Sequence, residues 1–341
     1  MTKIEICGTD NAESRHIGDF EREWCSDMEF IVAHTSGSTG QPKEIRLPKA
    51  DMRGSARATN SRFGIGERSV MICPLSINYI AGKMMMARAF EAGCHLLFCH
   101  PSNHFLSDPS VRAFINSHGA VDLVPVVPSQ LSQIIENPHL TEGIHNIIIG
   151  GAPIDSELET SLKSQPGTTR YFATYGMTET CSHVALRPIG ESHFSAMPEI
   201  TFDIDARGCL IINAPQYSFR RLTTNDIVEL LDYRTFIWRG RFDNVINSGG
   251  IKIFPEELER QLAPHITVPF YIIGLPHPKW GATPVIVAEE SNTLSDSDIA
   301  AICKSVLPSC RRPSAIYRIK TIPLTSTGKI RRIPPCQLPE I

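Results

Sequence analysis

The chain has 341 residues, room for about two domains at ~150 residues each, and is 42% hydrophobic, 20% charged and 7% aromatic. That balance excludes a disordered or low-complexity chain, and 33 basic against 36 acidic residues, a net charge of −3, disfavours a nucleic-acid partner. No apolar run approaches the ~18 residues of a membrane span, and Met1–Trp24 is polar and mixed in charge without a secretory signal, so a cytoplasmic protein is expected.

In chain order, Ser69–Cys73 is a buried strand closed by Pro74, Met84–Phe90 a buried Met- and Ala-rich helix, and Cys94–Cys99 a second strand. Val111–Ser117 reads as helix, Leu123–Val127 as strand, and Ile147–Ile149 as a β-branched strand ending in Gly150-Gly151. Strands that are apolar throughout, alternating with helices, predict an α/β domain whose sheet is covered on both faces. After Gly190 the texture changes, and Thr201–Ile212 and Ile227–Trp238 alternate as in a smaller antiparallel sheet. A polar segment, Arg239 to Asn244, marks a boundary near Asp243. The expected domains are therefore 1–242, large and α/β, and 243–341, small and α+β, joined by a hinge. In the second, one helix opens at Pro255 with Glu256 and Glu257 in its first turn. Another follows Ser295-Asp296-Ser297 with Ile299, Ile302, Val306 and Leu307 on one face. The ten cysteines include no CxxC pair; they read as small buried hydrophobes in a reducing compartment rather than as zinc ligands.

Six segments carry chemistry. His34-Thr35-Ser36-Gly37-Ser38-Thr39-Gly40-Gln41-Pro42-Lys43 combines hydroxyls, glycines and a lysine, donors suited to phosphate oxygens at close backbone approach. It lacks the spacing of a Walker loop, and by composition alone a flexible Ser/Gly turn would be the better reading. Tyr175-Gly176-Met177-Thr178-Glu179-Thr180 sets a hydroxyl beside a carboxylate, the donor type that a hard cation takes together with phosphate oxygens. Gly150-Gly151-Ala152-Pro153 permits close approach, and Asp226 in Thr224-Asn225-Asp226 can accept two hydrogen bonds at once. Gly240-Arg241-Phe242-Asp243-Asn244 runs on to Ser248-Gly249-Gly250, and Pro323-Leu324-Thr325-Ser326-Thr327-Gly328-Lys329 closes the series.

Taken in this order, residues 34 to 332 resemble the adenylate-forming superfamily of acyl-CoA synthetases, peptide-synthetase adenylation domains and luciferases. The resemblance implies ATP, Mg²⁺ and CoA as cofactor and co-substrates. It implies that Thr35, Ser36, Ser38, Thr39 and Lys43 hold phosphates, and that Gly151, Ala152, Tyr175 and Gly176 flank adenine. Thr178 would touch the α-phosphate, Glu179 would hold Mg²⁺, Asp226 would take the ribose hydroxyls, and Arg241 would reach the nucleotide. Asp243 would be the hinge, Ser248, Gly249 and Gly250 the loop for thioester formation, and Lys329 the adenylation lysine. Glu44 departs from the glycine common after the loop's Pro-Lys. Only 33 residues precede the loop, so the resemblance implies a shortened N-terminal domain, and a homodimer is expected to cover the surface thereby bared.

The segment from Pro74 to Arg88 corresponds to the start of the family's acyl pocket. Here it carries Lys83 and Arg88 amid Met and Ala, where a cation is costly unless paired. Lys83 could instead point to solvent or snorkel. A substrate carboxylate is a natural partner for Arg88, which can grip it with two hydrogen bonds. Arg88 stands six positions after Gly82, and this pattern, with Thr178 to Arg187, is similar to the o-succinylbenzoate–CoA ligases of menaquinone biosynthesis. It implies ATP-dependent ligation of CoA to o-succinylbenzoate through an acyl-adenylate, with Lys83, Arg88, Ser182 and His183 lining the acid site. His183 could equally be a satisfied core histidine. A ligase for another aryl or dicarboxylic acid, an enzyme loading a carrier protein, and a nucleotide binder without catalysis remain the rivals.

Overall fold

The structure, a computed structural model, describes residues 2–34, 44–325 and 330–338. The chain splits into two compact units: Met1–Ile154 with Leu158–Thr201 and Ile212–Leu222, and Asp155–Glu157 with Phe202–Ile211 and Thr223–Ile341.

In the first unit, β1 (Lys3–Cys7) and α1 (Asn11–Cys25) precede a hairpin of β2 (Phe30–His34) and β3 (Glu44–Pro48). Then come α2 (Lys49–Phe63), β4 (Val70–Cys73), α3 (Ile80–Ala92), β5 (His95–Cys99) and α4 (Pro109–His118). The unit continues through β6 (Val124–Val126), α5 (Ser132–Glu136), β7 (Asn146–Ile149), α6 (Ser156–Lys163), β8 (Arg170–Gly176), β9 (His183–Pro188) and β10 (Phe194–Ala196). The apolar runs became the expected strands and helices, and the class is α/β. Strands β1, β5 and β4 lie side by side in parallel, with Lys3 opposite His95 and Val70 opposite the same residue. Strands β6, β7 and β8 are also parallel neighbours, and β9 and β10 add antiparallel.

One core joins these sheets. Val70 and Ile72 of β4 and Leu97 of β5 pack with Val111, Phe114 and Ile115 of α4 and with Val124, Val126, Ile147 and Ile149. Each such side chain contributes about 1.5–3 kcal/mol on burial, which is why the four-residue strands persist. Helix α4 starts cleanly because Asp108 accepts from the Ser110 N–H at 2.8 Å and Pro109 needs no partner.

Helices α1 and α2 have no counterpart among the apolar runs. Helix α1 buries only Ile17, Phe20 and Trp24, a narrow stripe, after Asp10 caps it through the Glu13 N–H at 2.7 Å. Helix α2 buries polar residues, among them Asp51, Ser55, Thr59 and Asn60.

Strands β11 (Thr201–Ile204), β12 (Cys209–Ala214), β13 (Arg220–Asp232) and β14 (Thr235–Arg241) follow as successive neighbours. In the second unit, beyond them, lie β15 (Ile246–Ser248), β16 (Ile251–Ile253), α7 (Pro255–Leu262), β17 (Phe270–His277), β18 (Gly281–Glu289), α8 (Asp296–Val306) and β19 (Ile316–Ile319). The sheet runs β16-β15-β18-β17, with β19 parallel to β18. Leu258 and Leu262 of α7 and Ile299 and Cys303 of α8 close a core over Ile246, Ile272 and Ile286. Both helices begin at the expected residues, and Ser295 and Asp298 cap α8 reciprocally, the Ser295 N–H donating to Asp298 at 2.9 Å. No helix among the described residues is long and apolar enough to cross a membrane.

Candidate active site

In the first unit the site is built on the carboxyl ends of β7 and β8. Beyond β8 the chain turns sharply into β9, and the ladder shifts register between Tyr175 and Gly176. A Cβ on Gly176 would lie 2.6 Å from His183 Cα, so only glycine fits there. Thr180 locks the turn: its hydroxyl accepts from the Met177 N–H at 3.0 Å and donates to the Ser182 carbonyl at 2.7 Å. Thr178 is thereby half-buried and Glu179 exposed at the strand end. After β7, Gly151 turns with φ +85°, and a Cβ on Gly150 would meet Thr174 Oγ1 at 2.6 Å. The glycine loop thus rests on β8 one residue before Tyr175. A cation shared with phosphates needs a carboxylate open to the ligand rather than a closed cage, and Glu179 fits that requirement.

Helix α3 brings Arg88 against the same turn. Arg88 is 2% exposed, and its Nη2 donates to Ser182 Oγ at 2.6 Å. Nη1 meets only the Met85 sulfur at 3.3 Å, and Nε has no partner among the described residues. Burial pushes the guanidinium down to about 10, which still leaves it charged at neutral pH. His183 is also buried, and burial, with the Arg88 charge beside it, holds its imidazole well below the ordinary pKa.

The bonding fixes the tautomer of that neutral ring. Thr59 donates to the Ser55 carbonyl at 3.1 Å, so its oxygen accepts from His183 Nε2–H at 3.3 Å. His183 Nδ1 is left to accept from the Ser182 hydroxyl at 3.4 Å. Asn60 adds a hydrogen bond to the Arg88 carbonyl at 2.9 Å. Arg88, Ser182 and His183 therefore come together. Lys83 does not join them: it is half-buried with Nζ 5.2 Å from the Phe20 ring of α1, and burial lowers its pKa. Five residues along a helix turn a side chain by about 140°, so Lys83 and Arg88 point different ways.

Thr59 and Asn60 belong to the site although no motif marks them. The available signal was Asp51, Ser55 and Thr59 at every fourth position, a polar stripe along one face of a helix, buried in the structure.

In the second unit, Asp226 of β13 lies opposite Arg241 of β14. Arg241 Nη1 is 3.5 Å from Asp226 Oδ1, to which the Trp238 indole N–H also donates at 3.1 Å. Arg241 Nη2 reaches Asp243 at 3.3 Å, and Asn225 donates to the same carboxylate at 3.3 Å. Gly249 and Gly250, with φ of +56° and +86°, form the two-residue turn between Ser248 and Ile251. A Cβ on Gly249 would lie 2.6 Å from the Trp280 ring.

Thr35, Ser36, Ser38, Thr39, Lys43 and Lys329 lie outside the described residues. Their flanks are paired: His34 is opposite Glu44, and Leu324 bridges Ile330. Arg332 forks onto Glu259, with Nη2 2.7 Å from Oε2, and the Tyr271 hydroxyl donates to the Ile333 carbonyl at 2.6 Å.

The sequence profile described as AMP-binding enzyme matches residues 8–207. The 2-succinylbenzoate–CoA ligase of Listeria monocytogenes serovar 1/2a is 28% identical over 337 aligned residues, which cover 91% of this chain and 70% of that protein. The Bacillus subtilis o-succinylbenzoate CoA synthetase (MenE), solved with the acyl-adenylate intermediate OSB-AMP, shares the fold at a TM-score of 0.77 and 22% identity, over 91% of this chain and 69% of that one. An acyl-CoA synthetase (AMP-forming)/AMP-acid ligase II-like protein from Dyadobacter fermentans superposes at a TM-score of 0.62 with 31% identity, over 94% of this chain and 93% of that one. With a profile matched over more than half its length and a relative aligned nearly end to end, the chain belongs to the AMP-binding enzyme family.

Proposed function

We propose that the enzyme joins CoA to o-succinylbenzoate, through an acyl-adenylate, at the expense of ATP. The observation that carries the choice of acid is Arg88, a buried cation without a carboxylate partner among the described residues and with Nε unbonded. Leaving a charge buried and unpaired is unfavourable, and an acid with a second carboxylate supplies the missing partner. The 28% identical ligase from Listeria supports the same acid.

One carboxylate of the acid attacks the α-phosphorus of ATP, and pyrophosphate leaves. Thr35, Ser36, Ser38, Thr39, Lys43 and Lys329 are assigned to the phosphoryl oxygens, where fixed donors stabilise growing negative charge. Thr178 adds a hydroxyl, and Glu179 holds Mg²⁺, which when bound neutralises phosphate charge. Gly151, Ala152, Tyr175 and Gly176 bound the adenine, Asp226 orients the ribose, and Arg241 reaches the nucleotide.

In the second step the CoA thiol loses its proton and attacks the acyl carbon, and AMP leaves. The 1–242 and 243–341 domains divide these steps, with Asp243 as the hinge that withdraws Lys329 and presents Ser248, Gly249 and Gly250. A cytoplasmic location fits ten free thiols. The homodimer also stays within the proposal, and a monomer by light scattering at micromolar concentration would remove it.

The test is pyrophosphate release with ATP and Mg²⁺ across o-succinylbenzoate, benzoate, succinate and a medium-chain fatty acid, with and without CoA. Turnover confined to o-succinylbenzoate, yielding a CoA thioester, is expected. Preference for another acid would keep the ligase and discard this substrate.

A further inference from the structure

The loop that delivers α3 is gripped from outside by a single carboxylate. Glu13, in the first turn of α1, accepts from the Ile77 N–H at 2.7 Å, from Ser76 Oγ at 3.0 Å and from Asn78 Nδ2 at 3.2 Å. Three consecutive residues thus aim their donors at one side chain far away in sequence. Helix α3 has no device of its own at that end: Tyr79, its N-cap, makes no side-chain cap bond, and no acidic residue stands in its first turn. Negative charge beside a helix N-terminus is favourable, and α1 brings it from another element.

The loop cannot move without α3. A Cβ on Gly82 would lie 2.7 Å from the Ser76 carbonyl carbon and 2.9 Å from Ile77 Cα, so the loop backbone rests on the helix's first turn. Gln130 Nε2 pins the other end of the loop at the Pro74 carbonyl, 3.1 Å away. Helix α1 then runs beside α3, with Trp24 stacked on Phe90 at 6.3 Å between ring centroids. From Gly82 to Arg88 the helix is a rigid rod of about 9 Å, so a tilt at one end displaces the guanidinium at the other.

We infer that Glu13 is a positioning residue for acid binding: by clamping Ser76–Asn78 it sets the tilt of α3 and with it the place of Arg88. This rests on the reading of Arg88 as the holder of the acid's second carboxylate. Glu13 touches no reacting atom, so its effect falls on the acid and not on ATP.

The experiment measures pyrophosphate release by the full chain carrying Glu13→Ala or Glu13→Gln, varying acid and ATP separately. Glu13→Ala is expected to raise the KM for the acid about tenfold, as the loss of one charge-assisted contact would. The KM for ATP and the kcat at saturating acid should stay within about twofold of wild type. Glu13→Gln, whose amide oxygen still accepts from the Ile77 N–H, should recover most of the loss. Ser76→Ala should add less to Glu13→Ala than its own single effect, because one of the contacts it removes is shared with Glu13. A wild-type KM for the acid in Glu13→Ala, equal rises in both KM values, or full additivity with Ser76→Ala would each overturn the inference. The reading beneath it fails on a different result: Arg88→Met without effect on the KM for the acid.

Discussion

Arg88 and Ser182 are joined at 2.6 Å across the space between α3 and the turn that leads into β9. The bond uses one corner of the guanidinium and leaves Nε without a partner among the described residues. A buried cation half-supplied with hydrogen bonds is unfavourable to the fold and favourable to an anionic ligand. Replacing it with an apolar side chain of similar length should therefore separate stability from function. Arg88→Met is expected to raise the unfolding free energy of the ligand-free protein by about 1 kcal/mol or more. It should also lower kcat/KM for the acid by about thirtyfold or more, the ~2 kcal/mol of a truncated charge pair. Arg88→Lys, which keeps the charge and loses the planar fork, should fall between. Chemical denaturation and pyrophosphate release, run on the same preparations, check both halves.

His183 gives the site a pH signature. Its folded pKa lies well below the ordinary value, because burial and the Arg88 charge oppose protonation. Between that depressed value and about 6.5 the unfolded chain binds a proton that the folded chain does not. Stability from this residue is thus complete above about pH 6.5 and declines as the pH falls toward the folded pKa, by at most ~1.4 kcal/mol per unit. His183→Gln, which keeps a donor for Thr59, should lack that decline. The quantity to measure is the difference in unfolding free energy between wild type and variant from pH 8 to 5; a constant difference would contradict the assignment.

Trp238 steadies the carboxylate proposed to take the ribose. Its indole N–H donates to Asp226 Oδ1 at 3.1 Å, on the side that Arg241 also approaches. Trp238→Phe keeps an aromatic side chain and removes one donor, a loss of about 1 kcal/mol. The KM for ATP should rise about fivefold, with the KM for the acid unchanged.

What could be read from the residues follows from how each element is held. Strands β4, β5 and β7 are buried on both faces, and their apolar strings stand out in the sequence. Helix α2 could not be read that way, because its buried face is polar and is satisfied by distant groups: Asp51 accepts from the Ser218 N–H at 3.0 Å, and Thr59 accepts from His183. Ser182, His183, Asp226 and Arg241 were singled out only through the motif segments and the family resemblance those segments carry, not through periodicity or burial. Lys83 and Arg88 looked alike in sequence, and only the packing of Phe20 against one and Ser182 against the other separates them. The clamp by Glu13 was invisible for the same reason, as its partners lie 63 to 65 positions away.

The two half-reactions should yield to opposite lesions. Gly249 has a left-handed backbone and no room for a Cβ, which would lie 2.6 Å from the Trp280 ring. Gly249→Ala adds strain of about 1–2 kcal/mol for the left-handed residue alone, and the turn or the indole must also shift. The damage stays within the β15–β16 hairpin and Trp280, far in sequence from the groups assigned to the phosphates. Lys329 is assigned to the phosphoryl oxygens of the first step, and the proposed exchange gives it no part in thiol attack. Lys329→Ala should thus abolish pyrophosphate release yet still make thioester from a supplied acyl-adenylate and CoA. Gly249→Ala should release pyrophosphate at the rate of the first step and fail about tenfold or more in that second assay. Single-turnover measurements of each step in each variant form a two-by-two comparison. Equal loss in both steps for either variant would mean that the lysine and the glycine turn serve one shared site, and the hinge at Asp243 would have nothing to exchange.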